Sequence, residues 1–248
     1  MADNRVALVT GGNSGIGLQI SKDLAAQGIT VLIGARELKK GEEAARTIGA
    51  GAHAIQIDVT DQASIAAAAE RIRTDFKRLD ILMNNAGISR AKPDQSFEEA
   101  IKTNSLTVAP LEDVRALYEV NVFGAIAVTQ AMLPLLREAP AGRIVFTGSS
   151  GGSLTMNSDP SNTHRNRFGG YSASKSAEHA VMLAFALALL DTNIKVNAGD
   201  PGFTKTALNN FNGTRSVEEG AREPVHLALI GDDGPTGTFS GEHGPVPW

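Results

Sequence analysis

Tyr171 and Lys175 stand four residues apart in Tyr171-Ser172-Ala173-Ser174-Lys175, at the head of a stretch with helical patterning. On a helix, positions i and i+4 share one face, so a phenol and an ammonium placed this way can act together. A free phenol titrates near 10, too high for efficient proton transfer at neutral pH, and a neighbouring cation favours the phenolate and brings that value down. Such a pair can give a proton to a carbonyl oxygen or take one from an alcohol. The spacing also arises by chance on helix surfaces, so its weight comes from what precedes it in the chain.

Two earlier segments supply that context. Thr10-Gly11-Gly12-Asn13-Ser14-Gly15-Ile16-Gly17 follows the short apolar run Val6–Val9 and opens a helical pattern. A diphosphate needs close backbone approach and several N–H donors. Glycine permits the approach, and a helix N-terminus supplies the donors and a partial positive charge. A strand before and a helix after separate a dinucleotide loop from a plain Gly-rich turn. The second segment is Gly142-Arg143-Ile144-Val145-Phe146-Thr147-Gly148-Ser149-Ser150. A strand that ends in serine puts a hydroxyl at the carboxyl edge of the sheet, where open α/β sheets bind ligands. In dinucleotide folds an acidic residue about 20 positions past the loop holds the ribose 2′-hydroxyl. Here Ile33-Gly34-Ala35-Arg36 offers no acid. The Arg36 guanidinium instead suits a 2′-phosphate, although an arginine at a helix start also reads as a surface charge.

Short β-branched runs alternate with longer helical patterns. Strands are expected at Val6–Thr10, Thr30–Ala35, Ala54–Ile57, Ile81–Met83, Arg143–Thr147, Lys195–Ala198 and Thr238–Phe239. Helices are expected near Gly15–Gln27, Lys39–Ile48, Gln62–Phe76, Val114–Leu136, Tyr171–Leu190 and Val217–Leu229. The alternation predicts a parallel sheet with helices on both faces, its strands apolar throughout. Two stretches break the rhythm, Ser89–Pro110 and Gly151–Gly170, and long loops in a compact domain are usually functional or mobile. Asn121 falls inside a helical pattern, where asparagine is unfavourable and needs a reason.

The chain has 248 residues, 42% hydrophobic and 20% charged, which is enough to bury a full core and predicts one domain over residues 1–248. With 23 basic and 27 acidic side chains it lacks the basic footprint of a nucleic-acid partner. The absence of cysteine excludes disulfides, thiolate metal sites and cysteine nucleophiles, and the five histidines show no ligand spacing, so no metal is expected. No run of 18 apolar residues predicts a membrane span, and the apolar run near the N-terminus is too short for a signal peptide. A cytoplasmic protein without a membrane partner is expected. Ala180–Leu190 suits a buried or interface helix, and Asn212-Gly213-Thr214 reads as a turn.

The spacing Thr-Gly-x-x-x-Gly-x-Gly, followed in order by the other segments, resembles the classical short-chain dehydrogenases/reductases over almost the whole chain. The resemblance is greatest to their NADPH-dependent carbonyl reductases. It implies a Rossmann-type doubly wound parallel sheet of about seven strands in three α/β/α layers, binding NADPH. Gly11, Asn13, Ser14, Gly15, Ile16 and Gly17 would hold the diphosphate. Ala35 stands where NAD-using relatives usually carry Asp, and Arg36 follows it. The basic residue that NADPH-preferring relatives often add at the position of Ser14 is missing. Asp58-Val59 would face the adenine, and Asn85, Ala86 and Gly87 of Asn84-Asn85-Ala86-Gly87 would floor the cofactor cleft. Ser149 is the catalytic serine by resemblance, with Ser150 the competing assignment. Asn121 matches the position that maintains a water chain to the lysine, and Tyr171 and Lys175 would touch both cofactor and substrate. Pro201, Gly202, Phe203, Thr204 and Thr206 resemble the segment that contacts the nicotinamide carboxamide. The stretch from Phe203 to about Glu219 would form a mobile lid.

The chain departs from the family between Ser149 and Tyr171, where extra residues fall within Met156–Phe168. Carbonyl reductases of the monomeric type also carry an insertion here, usually longer, and the segment from Ser216-Val217-Glu218-Glu219-Gly220-Ala221 to Trp248 looks like theirs. The insertion could wall the pocket, block tetramer contacts or be an idle surface loop; a monomer or homodimer is expected over a tetramer. The resemblance implies reduction of aldehydes and ketones by NADPH with Tyr171 as general acid. The alternatives are an alcohol dehydrogenase or a 3-oxoacyl-type ketoreductase on the same scaffold and, more remotely, a silent dinucleotide-binding regulator. An acyl-carrier substrate would want a basic patch, and Arg165 and Arg167 are the only candidates.

Overall fold

The computed structural model describes residues 5–49, 51–92, 94–167 and 169–248. The order of elements is β1 (Val6–Thr10), α1 (Gly15–Ala26), β2 (Thr30–Ala35), α2 (Leu38–Ile48), β3 (Ala52–Gln56), α3 (Gln62–Phe76), β4 (Ile81–Asn84), α4 (Phe97–Thr103), α5 (Leu111–Tyr118), a π-helical turn (Glu119–Gly124) and α6 (Ala125–Leu136). Then follow β5 (Arg143–Thr147), α7 (Leu154–Ser158), α8 (Gly170–Ala188), β6 (Lys195–Gly199), α9 (Val217–Ala228), β7 (Phe239–Gly241) and β8 (Gly244–Pro245). One sheet runs β3-β2-β1-β4-β5-β6-β7-β8, parallel from β3 to β7, with β8 antiparallel on β7.

The layering follows from the two-residue period of the strands. In β1, Val6 and Leu8 enter one core with Ile65 and Ile72 of α3, Val128 and Met132 of α6, and Met182 of α8. Ala7 and Val9 enter the other with Ile20 and Leu24 of α1, Ala44 of α2 and Leu227 of α9. Every residue of β1 and β5 is buried, as strands covered on both faces must be. Each large apolar side chain so buried contributes roughly 1.5–3 kcal/mol.

The strand order reverses between β1 and β4, so the loops that follow these two strands part to opposite faces and open a crevice between them. Three polar bonds fix it. The Thr10 hydroxyl donates to the Met83 carbonyl at 3.0 Å and accepts from the Asn85 and Ala86 backbone at 2.9 and 3.0 Å.

Several expectations are corrected. β3 lies earlier than predicted, so Asp58 stands two residues beyond the strand rather than at its end. The Ser89–Pro110 stretch contains α4, opened by a Ser96–Glu99 capping box. A two-residue eighth strand was not expected. The helix expected at Val114–Leu136 begins at Leu111 and is interrupted by the π turn. Its full span, Leu111–Leu136, is long and apolar enough by composition to cross a membrane, contrary to the sequence reading, but its apolar window is 50% buried inside the protein, as in a core helix.

Candidate active site

The phosphate loop is shaped by contacts that leave no room for larger residues. A Cβ on Gly17 would lie 2.4 Å from both Asn85 Nδ2 and the Gly11 carbonyl, so only glycine lets α1 approach this closely. Ser14 gives the first turn of α1 no side-chain cap, which leaves its backbone donors for a ligand. Gly12 N–H donates to the Gly34 carbonyl at 3.1 Å, bringing the end of β2, and with it the exposed Arg36, beside the loop. Thr206 closes the other side, its Cγ2 3.4 Å from where a Gly15 Cβ would stand.

Asn85 ties three strand ends together: Nδ2 donates to the Thr10 carbonyl at 2.9 Å, and Oδ1 accepts from Thr147 Oγ1 at 3.4 Å. Asp58, half-buried, accepts from the backbone and hydroxyl of Thr60, and Val59 packs where a Gly124 Cβ would stand. The loop surface therefore presents backbone donors at one end and Arg36 at the other, a donor set that fits a phosphorylated dinucleotide.

The deeper half of the site is built on α8. The Ser149 hydroxyl hydrogen-bonds to the Tyr171 phenol, while Ser150 opens a 3-10 turn. Lys175 is buried. Its ammonium donates to the Thr147 carbonyl at 2.9 Å and to Glu178 Oε2 at 2.7 Å. Asn121 sits fully buried in the π turn, a feature common at functional sites. Its Oδ1 accepts from Ile88 N–H at 2.9 Å, and its Nδ2 donates to the Ile88 carbonyl and the Ser174 hydroxyl, both at 2.9 Å. That answers why an asparagine sits mid-helix: it locks the β4 loop to α8.

Lys175 pulls the Tyr171 pKa down, as expected, but its pull does not set the net shift. Burial drives the phenol above its ordinary value, outweighing the pull of Lys175 and the Ser149 hydrogen bond, while Glu178 and Asp200 push it further up. Burial also pulls the Lys175 ammonium down, but Glu178, then Tyr171 and Asp200, more than reverse that and hold it above its usual range. Burial raises the Glu178 carboxyl, and Lys175 opposes the rise. His179 is held neutral, at about 3, by burial and the nearby Lys175. Its Nε2 accepts the Ser149 backbone N–H at 3.2 Å, and its ring packs on Phe239 at 4.2 Å.

Three residues of this site were missed in the sequence. Glu178 lies seven residues past Tyr171, on the same helix face, and that period was the available signal. His179 follows it. Asn104 comes from the end of α4, where only the fold reveals it. Gly169, at the start of α8, provides no side-chain cap, so Asn104 Oδ1 accepts Tyr171 N–H at 2.9 Å and the Asn104 carbonyl accepts Gly170 N–H at 2.8 Å. A Cβ on Gly169 would lie 2.2 Å from that carbonyl.

Around the mouth, Pro201–Thr206 follows β6 and packs on Arg215, and Thr204 pairs with Arg215. The expected lid is tied down at several points. Ser89 and Arg90 donate to the Leu208 carbonyl and Arg90 also to Ala207, and its last residues belong to α9. The insertion carries α7 and a 3-10 turn at Arg165–Arg167, both arginines exposed; Phe168 lies outside the described residues. Thr155 N–H donates to the Trp248 carbonyl and Ser153 Oγ to the Pro247 carbonyl, both at 2.6 Å.

A family model described as short chain dehydrogenase matches residues 5–216. The chain belongs to this family. A curated relative, (+)-neomenthol dehydrogenase of Capsicum annuum, is 31% identical over 95% of both chains. Among solved structures, a 3-ketoacyl-(acyl-carrier-protein) reductase from Brucella melitensis, complexed with NADH, superposes with a TM-score of 0.81 at 26% identity, covering 98% of each chain. A short chain dehydrogenase from Burkholderia cenocepacia in complex with NADP gives 0.76 at 31% identity, covering 97% of this chain and 96% of the other.

Two outcomes follow from these contacts. Asn104→Ala removes the acceptor of Tyr171 N–H and is expected to cost about 1–2 kcal/mol in urea unfolding, with Asn104→Asp recovering most of it. His179 is neutral in the fold and titrates near 6.5 when unfolded, so the unfolded chain binds the extra proton between pH 6.5 and about 3. Its contribution is therefore fully present above pH 6.5 and is lost as pH falls through that window. His179→Gln should flatten the stability–pH slope there by up to about 1.4 kcal/mol per pH unit; an unchanged slope contradicts the assignment.

Proposed function

We propose that this chain is an NADPH-dependent reductase of aldehydes and ketones. The observation that carries the reading is the phenol of Tyr171, hydrogen-bonded to Ser149 and facing Lys175, at the carboxyl edge of a sheet whose β1/β4 crevice is lined by a phosphate loop. The loop residues Gly11, Asn13, Ser14, Gly15, Ile16 and Gly17 would hold the diphosphate. Arg36, Asp58 and Val59 would hold the adenosine end, and Asn85, Ala86, Gly87 and Pro201–Thr206 the nicotinamide end. Bound there, NADPH supplies a hydride to the carbonyl carbon.

Each protein group then has a task. The Ser149 hydroxyl donates to the substrate oxygen, a bond that strengthens as negative charge develops there. Tyr171 O–H passes its proton to that oxygen, giving the alcohol and leaving a phenolate. The Lys175 ammonium stabilises the phenolate, and Asn121 keeps the loop that faces Lys175 in register. The absence of an acid at Ala35 with Arg36 beside it supports NADPH over NADH, because a guanidinium answers a 2′-phosphate and a carboxylate would repel it. The NADH and NADP bound in the neighbouring structures show that the fold itself accepts either.

The substrate is a small carbonyl compound. The cytoplasm, and a monomer or homodimer, are the setting and state this reading expects. Among the described residues, Arg165 and Arg167, exposed on one turn, are the basic pair that a carrier-bound acyl substrate would use.

The test is oxidation of NADPH and NADH against a panel of ketones, aldehydes and 1,2-diketones. Tyr171→Phe should lower kcat by about 100-fold to 10,000-fold. Arg36→Ala should lower the preference for NADPH over NADH by about 10-fold to 100-fold, the worth of a hydrogen bond to a charged group. Full activity in Tyr171→Phe overturns the proposal.

A further inference from the structure

The Tyr171/Lys175 pair does not stand alone on its helix face. Tyr171, Lys175 and Glu178 follow at i, i+4 and i+7, and the last two form an ion pair of 2.7 Å with side chains only 6% and 1% exposed. An ammonium has three N–H donors, and two are taken, one by Glu178 and one by the Thr147 carbonyl. One remains toward Gly87, where a Cβ would stand 3.8 Å from Nζ.

Buried charges act over short distances with little screening, so the partner of the lysine matters as much as the lysine. A bare ammonium four residues from the phenol would favour phenolate. Paired with Glu178, it forms a unit that is neutral whichever atom holds the shared proton. Among the described residues the other charge acting on both Tyr171 and Lys175 is Asp200, past the end of β6, which is also negative. His179, next on the helix, is neutral, and the π turn presents the uncharged Asn121.

We propose that Glu178 is a positioning residue of the reaction: its carboxylate holds the Lys175 ammonium against the Thr147 carbonyl and offsets part of its charge, which sets how far that charge draws the Tyr171 phenol toward phenolate. The proposal deepens the reductase reading and rests on it. The proton itself still travels from Tyr171 to the substrate oxygen, and Glu178 touches neither substrate nor cofactor. The raised phenol described above agrees with this arrangement.

The chain has only two tyrosines, Tyr118 and Tyr171, so the state of the phenol can be read directly. In a Tyr118→Phe background, phenolate absorbance is titrated in the cofactor-free protein with Glu178 intact and as Glu178→Gln and Glu178→Asp. Glu178→Gln uncovers the lysine charge and should lower the midpoint by about one to three units, with Glu178→Asp lying between the two. The basic limb of kcat/KM for carbonyl reduction should fall by the same amount in Glu178→Gln. A merely structural role would leave that limb where it is.

An unmoved midpoint in Glu178→Asp overturns the proposal even if Glu178→Gln does not fold. So does an unmoved midpoint in a folded Glu178→Gln. The titration needs no substrate and no cofactor. A chain that titrates as expected but reduces no carbonyl therefore contradicts the reductase reading and leaves the charge pairing standing.

Discussion

A lysine ammonium enclosed in a protein must be answered by charge and by hydrogen bonds, because desolvation alone would strip its proton. Lys175 meets that constraint with the end of β5, through the Thr147 carbonyl, and with Glu178 one turn further along its own helix. Much of the local structure serves this one group. Gly152 lies flat against the Lys175 backbone, where a Cβ would come within 2.8 Å. The Ser174 hydroxyl beside it is held by Asn121 of the π turn. An unanswered ammonium here would destabilise the fold; an answered one sets the electrostatics of the phenol next to it.

The remaining architecture brings distant segments to that helix. The N-terminal turn of α8 has no cap of its own and borrows Asn104 from α4, so the backbone carrying Tyr171 is set by a residue 67 positions earlier. The serine that bonds the phenol is held through its own backbone by His179. On the other side of the crevice, Thr10 and Asn85 lock the ends of β1 and β4 together, which fixes the phosphate loop relative to the β4 loop that Asn121 holds. Phosphate loop, β4 loop, π turn and α8 thus form one chain of hydrogen bonds from the expected diphosphate site to the expected site of proton transfer.

Most strands and helices were legible because their signals are local: continuous apolar runs for strands buried on both faces, and 3.6-residue periods for the helices that cover them. The loop at Gly11–Gly17 and the Tyr171/Lys175 spacing were legible for the same reason. α4 was overlooked although Ser96 and Glu99 spell a capping box, and β8 is too short to carry a period. Asn104 and the locking role of Asn121 depend on pairings far apart in sequence, which no local pattern encodes. The Lys175 pull on Tyr171 is legible in the i, i+4 spacing, but the net shift depends on burial, which no local pattern encodes, and on Glu178 of the same helix face. The lid at Phe203–Glu219 is implied by the family resemblance alone, and no local pattern there shows that Ser89 and Arg90 hold it.

The central claim is that this hydrogen-bonded chain positions a carbonyl for hydride transfer with Tyr171 as the proton donor. The most direct measurement is product analysis by mass spectrometry after reduction of a ketone with NADPH deuterated at its transferable position, in wild type and Tyr171→Phe. The account predicts one deuterium on the carbinol carbon in the wild-type product and almost no product from the variant. An alcohol without deuterium at that carbon, or undiminished labelled product from Tyr171→Phe, would contradict it.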